Sequence, residues 1–458
     1  MTTVRFLGGT DTVTGSKFLV GSGGRSVLVD CGLFQGPRKV RLLNWDDPFF
    51  AEAGVPDEAL ITHAHIDHTG WLPRFVGSHG FAGPIRCTPA TADLMSIMLP
   101  DSARLQQEEA DFINRAGFSR HRPALPLYTE EEAGRALALV ETVGYHHWVD
   151  TACGRAWYTA AGHILGSASI VLETGGGRVV FSGDVGRWGV PVIRDPDPPS
   201  GADLLILEST YGGRSHRDDL DPDEGIAAAV DHVVESGGVL LVPAFSVGRT
   251  QDILYRIRGL ETRGRIPRLP VILDSPMAID ATRVYADHSE EHDLEMRGLE
   301  ARGDSPLRPA LLELTTTVEE SKAVNRRRGP LVVISASGMG KGGRVPHHLK
   351  QRLPHPENLV AFVGFQAAGT PGRRLVEGAD RIRIHKEEVP VRARVIRLEA
   401  LSAHADQEEL LRWARAVAPQ RVALVHGEDE ARAALAEALA DQLGVEVLTP
   451  VRGDVVPV

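Results

Sequence analysis

The string Thr62-His63-Ala64-His65-Ile66-Asp67-His68-Thr69-Gly70 places four metal-ligating side chains within six positions. It follows a short apolar run, residues 59–62, that reads as a strand, so the four side chains belong to a loop at the strand's C-terminal edge. His63 and His65 can reach one ion together, while Asp67 and His68 face a second. Imidazole mixed with carboxylate suits zinc, with a position left open for water. Two further candidates stand where such a site needs them. His163 lies in Ala161-Gly162-His163-Ile164, just before an apolar strand, and Asp184 follows Val179-Val180-Phe181-Ser182-Gly183. A carboxylate at that strand end can bridge two cations. Alone, His163 reads as a core histidine and Asp184 as a turn acid; the upstream string turns both into ligands. Asp30 closes the run SVLVD and is suited to accept a hydrogen bond from a ligand and orient it.

Strands are needed to carry these loops. Residues 26–30, 59–62, 169–173, 178–181 and 203–207 are short β-rich runs bounded by glycine or turn residues. The middle of the chain alternates differently. Residues 238–242, 270–273, 330–334 and 358–363 each precede a helical stretch, which reads as βα units around a mostly parallel sheet. From residue 394 onward strands return (394–398, 421–425, 445–448), with amphipathic helices between them. Thr129-Glu130-Glu131-Glu132 is a capping box for a helix expected to run to about Thr142. The PDPPSG segment, residues 196–201, reads as a turn or hinge between layers.

The 458 residues are 42% hydrophobic and 24% charged, which fits two to three folded domains and excludes a disordered polyelectrolyte. No apolar run approaches the ~20 residues that span a bilayer, and the start has no signal-peptide pattern, so neither a membrane nor export is expected. Cys31, Cys87 and Cys153 have no CxxC spacing and read as small buried hydrophobes of a cytoplasmic protein. The net charge of -11 argues at first against a nucleic-acid partner. Residues 321–397, however, hold 16 Lys+Arg against 5 Asp+Glu, leaving 34 against 56 elsewhere. Most of these bases are arginine, which suits bidentate phosphate contacts.

HxHxDH, then His163, then Asp184, with Asp30 upstream, resembles the metallo-β-lactamase fold of dinuclear zinc hydrolases. The starting segments Leu7-Gly8-Gly9-Thr10 and Val13-Thr14-Gly15-Ser16 match its RNA-processing members. Three later segments sharpen the resemblance: Leu207-Glu208-Ser209-Thr210-Tyr211, Leu401-Ser402-Ala403-His404-Ala405-Asp406 and Val425-His426-Gly427-Glu428. In this order they are similar to the extra motifs of the β-CASP branch, which cuts nucleic acids and includes the pre-mRNA 3′-end endonuclease and ribonuclease J. The resemblance implies an αββα sandwich (residues 1–209 and 391–458) split by an inserted parallel-sheet β-CASP domain (residues 210–390). It implies two Zn2+ ions per chain, with Mn2+ as the alternative, held by His63, His65, Asp67, His68, His163, Asp184 and His426. His426 also favours RNA, because DNA-acting members typically carry another residue there.

The implied chemistry is an in-line attack on phosphorus by a water activated between the ions, with His404 protonating the departing O3′. Glu208 would fix the tautomer of His404, and Asp67 serves the metals and the reaction. The products would be a 5′-phosphate and a 3′-hydroxyl. Glycine-rich turns at 335–344 and 364–374 supply phosphate-binding candidates Ser337, Gly338, Arg344, Arg373 and Arg374, and Arg249 follows the family's strand-to-helix turn. A dinucleotide reading of the first turn lacks a ribose-binding acid about 20 residues on. The sequence runs 32 residues beyond His426, without ribonuclease J's extra domain, so a compact endonuclease on mainly single-stranded RNA is expected. Relatives often dimerise, which makes a homodimer a partner to test. The rivals are a lactonase- or thioesterase-type hydrolase on the same metals and a non-catalytic RNA-binding scaffold.

Overall fold

The computed structural model describes residues 1–45, 52–117, 123–216, 221–364, 366, 369–398 and 401–458. The chain forms two compact units. The first joins Met1–Gly189, Asp195–Ser215 and His404–Val458; the second joins Val190–Arg194 and His216–Ala403.

Two seven-stranded sheets make up the first unit. The run from Ala202 to Glu208 is apolar almost throughout because both of its faces are covered. Leu204 and Ile206 enter a core shared with Phe6, Phe18 and Leu60 of the other sheet. Leu205 and Leu207, displaced by the two-residue period of a strand, instead meet Leu410, Trp413 and Leu435 of the helices Gln407–Val417 and Asp429–Leu443. Over the first sheet, the helices Leu72–His79 and Pro89–Ala116 bury Leu72, Phe75, Leu94 and Met95. The layers are therefore the αββα sandwich that the resemblance implied. The expected capping box forms at Thr129, but its helix ends at Leu137. Val140–Thr142, expected as its last turn, is a strand beside Ile85–Cys87. A β-branched pair next to an open sheet edge gains more from the ladder than from helix. All three cysteines are buried free thiols, and burial pushes that of Cys31 up to about 12, so it is inert as a nucleophile.

The second unit is built on a six-stranded sheet in which every adjacent pair is parallel. Helices cover both faces, with Ile253, Leu254 and Ile279 on one and Val324, Leu349 and Leu375 on the other. Arg394–Leu398 pairs with Leu359–Val363 as the edge strand, and the compact unit reaches Ala403. Asp274 ends the strand Val271–Leu273 fully buried. Its carboxylate accepts from Ser321 Oγ at 2.7 Å and from Arg344 Nη1 at 2.6 Å, and it meets His348 Nε2 at 2.5 Å. Among the described residues no helix is long and apolar enough to cross a membrane.

Burial alone would raise the Asp274 carboxyl, but His348, Thr315 and Ser321 hold it well below the usual carboxylate range. Its stabilisation is present above the unfolded value of about 4 and is lost as pH falls through the lower folded one. Asp274→Asn should therefore destabilise the second unit by about 3 kcal/mol at pH 7, read as an earlier urea transition. The deficit should shrink as the pH is lowered below 4.

Candidate metal centre and proton donor

Close backbone approach shapes the loop that carries the ligands. Residues 30–33 run against residues 66–68, with Cys31 N–H donating to His68 O at 2.7 Å and Leu33 N–H to Ile66 O at 2.9 Å. A Cβ on Gly32 would lie 1.6 Å from the Asp67 carbonyl oxygen, so only glycine fits there. Asp30, in the left-handed region at φ 58, turns its carboxylate back over the strand ends. Gly186 plays the same part opposite: a Cβ there would lie 1.7 Å from Gly162 O, which brings the Asp184 and His163 loops together.

The seven sequence-derived ligands converge in two groups. His63, His65, His163 and Asp184 form one, and Asp67, His68 and His426 the other, with the ligand atoms of each group within 4.8 Å of one another. His65 Nδ1 lies 3.1 Å from His63 Nε2 and 3.2 Å from His163 Nε2. In the second group, His426 Nε2 lies 3.3 Å from His68 Nε2 and 3.5 Å from Asp67 Oδ2. Asp184 addresses both: Oδ2 is 3.5 Å from His63 Nε2, and Oδ1 is 3.3 Å from His68 Nε2.

These donors fit a divalent cation on the geometry of the chain itself. Ring nitrogens facing one another cannot all be satisfied by protons, and Asp184 Oδ1 is buried without a hydrogen-bond partner. The outer ring nitrogens are held so that lone pairs point inward. His68 Nδ1 donates to Asp30 Oδ2 at 2.7 Å. His63 Nδ1 donates to Thr62 Oγ1 at 3.1 Å, whose own proton goes to Asp30 Oδ2 at 2.9 Å. Burial lowers His65 to about 4 and, with the nearby His68, takes His63 well below the ordinary imidazole value. Both rings are thus neutral ligands. His68 goes the other way: burial opposes its charge, but Asp184 and Asp30 raise it well above that value. Burial would also raise Asp67 and Asp184, yet the surrounding imidazoles keep both carboxyls below the usual range.

Beside this cluster stands the His404–Glu208 pair. His404 Nδ1 lies 3.1 and 3.2 Å from the two Glu208 oxygens. Glu208 is only 1% exposed and also accepts from the backbone N–H of Val185 at 2.7 Å and of Thr210 at 3.2 Å. Burial works against a charged His404, but the Glu208 carboxylate outweighs it and carries the ring up to about 9. The His404 ring lies 4.5 Å from that of His163, centroid to centroid.

The expected phosphate contacts all lie in the second unit. Ser337 Oγ donates to Lys341 O at 2.7 Å, Gly338 O accepts from Gln366 Nε2 at 3.2 Å, and Gly372 N–H donates to Met339 O at 3.0 Å, so the two glycine-rich turns pack together. Phe365, Ala367 and Ala368 of the second turn lie outside the described residues. Three of the arginines are engaged locally. Arg344 is bound to Asp274 and to the carbonyls of Thr315 and Thr316, Arg373 meets Glu377 at 2.6 Å, and Arg249 meets Asp252 at 3.1 Å. Arg374 is exposed. Sequence reasoning assigned no part to Thr62, Thr210 or Asp274. Each is a polar residue directly beside a strand end, a weak signal by itself.

Comparison with known proteins agrees with this geometry. The description "Metallo-beta-lactamase superfamily" matches residues 11–243, "Beta-Casp domain" residues 250–375, and "Zn-dependent metallo-hydrolase RNA specificity domain" residues 388–450. The chain is 39% identical to a protein of Thermus thermophilus named as a ribonuclease, over 97% of each. It is 30% identical to an RNase J-like protein of Methanocaldococcus jannaschii, over the whole of both. It is 29% identical to transcription termination factor FttA of Methanosarcina mazei, over 97% of this chain and 69% of that one. A solved protein of unknown function from Enterococcus faecalis shares the fold, with a TM-score of 0.56 and 15% identity over both full lengths. The chain belongs to the β-CASP branch of the metallo-β-lactamase superfamily and is a metal-dependent hydrolase of its RNA-processing kind.

Proposed function

We propose that this chain is a two-zinc endoribonuclease that cuts single-stranded RNA and leaves 5′-phosphate and 3′-hydroxyl ends. The observation that carries the reading is the His404–Glu208 pair set against a complete double ligand set. The ribonuclease names of the relatives support RNA as the substrate. His63, His65, His163 and Asp184 would hold one ion, and Asp67, His68, His426 and Asp184 the other. When bound, such ions supply an activated water and neutralise charge on the phosphate oxygens.

The remaining work falls to the chain. Glu208 holds Nδ1 of His404 and keeps the ring protonated at neutral pH, so the opposite nitrogen can give its proton to the departing O3′. Asp30 and Thr62 keep the rings of His68 and His63 from rotating. The site is narrow: the side chains of Asp67 and His404 are 21% and 20% exposed, and those of His68 and Asp184 at most 3%. An unpaired strand, free to bend its backbone inward, suits that opening better than a duplex.

With purified protein, zinc and end-labelled single-stranded RNA, His404→Ala should lower the cleavage rate by about 10²–10⁴-fold while the zinc content stays that of the wild type. Cleavage at the wild-type rate would remove His404 from the mechanism. Glu208→Gln takes away the charge that raises His404, so the ring loses its proton at lower pH. The alkaline limb of the rate profile should move down towards the unperturbed histidine value of about 6.5; an unmoved limb counts against the proton-donor role. Zinc binding has its own pH dependence. His68 must give up the proton that Asp184 and Asp30 stabilise, so zinc affinity measured by calorimetry should rise between pH 6 and 8 with proton release into the buffer.

A further inference from the structure

We infer that the hydroxyl of Thr210 sets the ring and backbone of His426 for metal binding, and so governs how tightly the ion at Asp67, His68 and His426 is held. This rests on the two-ion reading above.

The two segments meet because their strands are neighbours. Ala202–Glu208 and Pro419–Val425 pair in parallel with Glu208 opposite Val425, so Ser209-Thr210 and His426-Gly427 leave the sheet side by side. Ser209 Oγ donates to Val425 O at 2.7 Å, and a Cβ on Gly427 would lie 2.2 Å from that same hydroxyl oxygen. His426 itself takes φ 50, a left-handed conformation that a residue with a side chain rarely adopts. Its N–H donates to Gly9 O at 2.6 Å, and its carbonyl accepts from Thr210 Oγ1 at 3.1 Å.

Thr210 Oγ1 also lies 3.1 Å from His426 Nδ1. A hydroxyl has one proton, and here the carbonyl of His426 accepts it. Towards the ring the oxygen can then only accept, so Nδ1 carries the hydrogen and Nε2 keeps its lone pair. That lone pair faces His68 Nε2 at 3.3 Å and Asp67 Oδ2 at 3.5 Å. The other tautomer would point an N–H at the ion. His68 has a carboxylate, Asp30, at 2.7 Å to fix its ring, whereas Nδ1 of His426 has this neutral hydroxyl at 3.1 Å as its nearest partner, with Asp184 Oδ1 further off at 3.4 Å. The backbone N–H of Thr210 meanwhile donates to Glu208 Oε2 at 3.2 Å, so the same residue touches the acid that orients His404.

The test is a zinc titration of the metal-stripped full-length protein against a chromophoric chelator, for the wild type and Thr210→Ala, Thr210→Val and Thr210→Ser. The wild type should take up two ions. Alanine and valine should weaken one of the two ions by about 10–100-fold and leave the other unchanged, and serine should restore most of that loss. Valine keeps the volume, so its agreement with alanine separates the hydroxyl from packing. Wild-type affinity for both ions in the valine variant would overturn the inference, and so would equal weakening of both ions. A wild type that binds a single ion would instead defeat the two-ion reading, and this inference with it.

Discussion

A carboxylate buried without a hydrogen-bond donor costs several kcal/mol unless a cation meets it. Asp184 comes close to that position: its Oδ1 has no hydrogen-bond partner, although imidazole nitrogens of His68 and His426 lie 3.3 and 3.4 Å away. The arrangement would be unfavourable as a core and becomes favourable once divalent charge enters it. Much else in the first unit follows from tolerating this. Gly32 and Gly186 allow backbone approaches that no side chain could share, Asp30 and His426 accept left-handed backbone, and Thr62 and Asp30 spend their hydrogen bonds on holding rings still. Stability is given up locally so that lone pairs remain available, which is how strain at a functional site is recognised.

The second unit contains the complementary case. Asp274 is also a fully buried acid at the end of a parallel strand, but Arg344, His348, Ser321 and Thr315 close around it. Its charge is answered within the chain, so it invites no ion and acts as an anchor. Through Arg344 it ties the end of the first glycine-rich turn to the carbonyls of Thr315 and Thr316. Two buried strand-end acids thus differ in their partners: hydrogen-bond donors close around Asp274, while Asp184 Oδ1 is left with none. That difference separates a structural network from a candidate metal centre.

Local spacing made the ligands legible. HxHxDH announces itself because four of six consecutive positions carry the chemistry, and His163 and Asp184 stand beside strands whose apolar runs are plain. Central strands such as Gly177–Phe181, Ala202–Glu208 and Leu331–Ser335 were visible because both of their faces are covered and the runs are continuously apolar, whereas Thr3–Gly8, Lys17–Ser22 and Gly154–Ala160 were not. What the sequence hid depends on partners far away along it. Thr210 acquires its part from a histidine 216 positions later, through strand register. Arg344 pairs with Asp274, 70 positions earlier, and nothing in the local sequence signals that contact. The run 394–398 is legible as a strand, but its pairing with Leu359–Val363 is one that no local pattern reports.

The charge distribution gains a similar correction. Sixteen bases between residues 321 and 397 describe an arginine-rich stretch, yet many are committed to neighbours. Arg327 pairs with Glu313, Lys350 with Glu387, Arg373 with Glu377, and Arg352 gives its guanidinium to the carbonyls of Arg327 and Val324. A base already neutralised by a carboxylate releases fewer counterions on meeting a phosphate than the bare count implies. The exposed pairs are weak enough to exchange partners, since surface salt bridges are worth at most about 1 kcal/mol. The buried Arg344–Asp274 pair is not. This unit therefore holds two kinds of arginine: a set in exposed pairs that can exchange partners at little cost, and a fixed one that keeps the turns in shape.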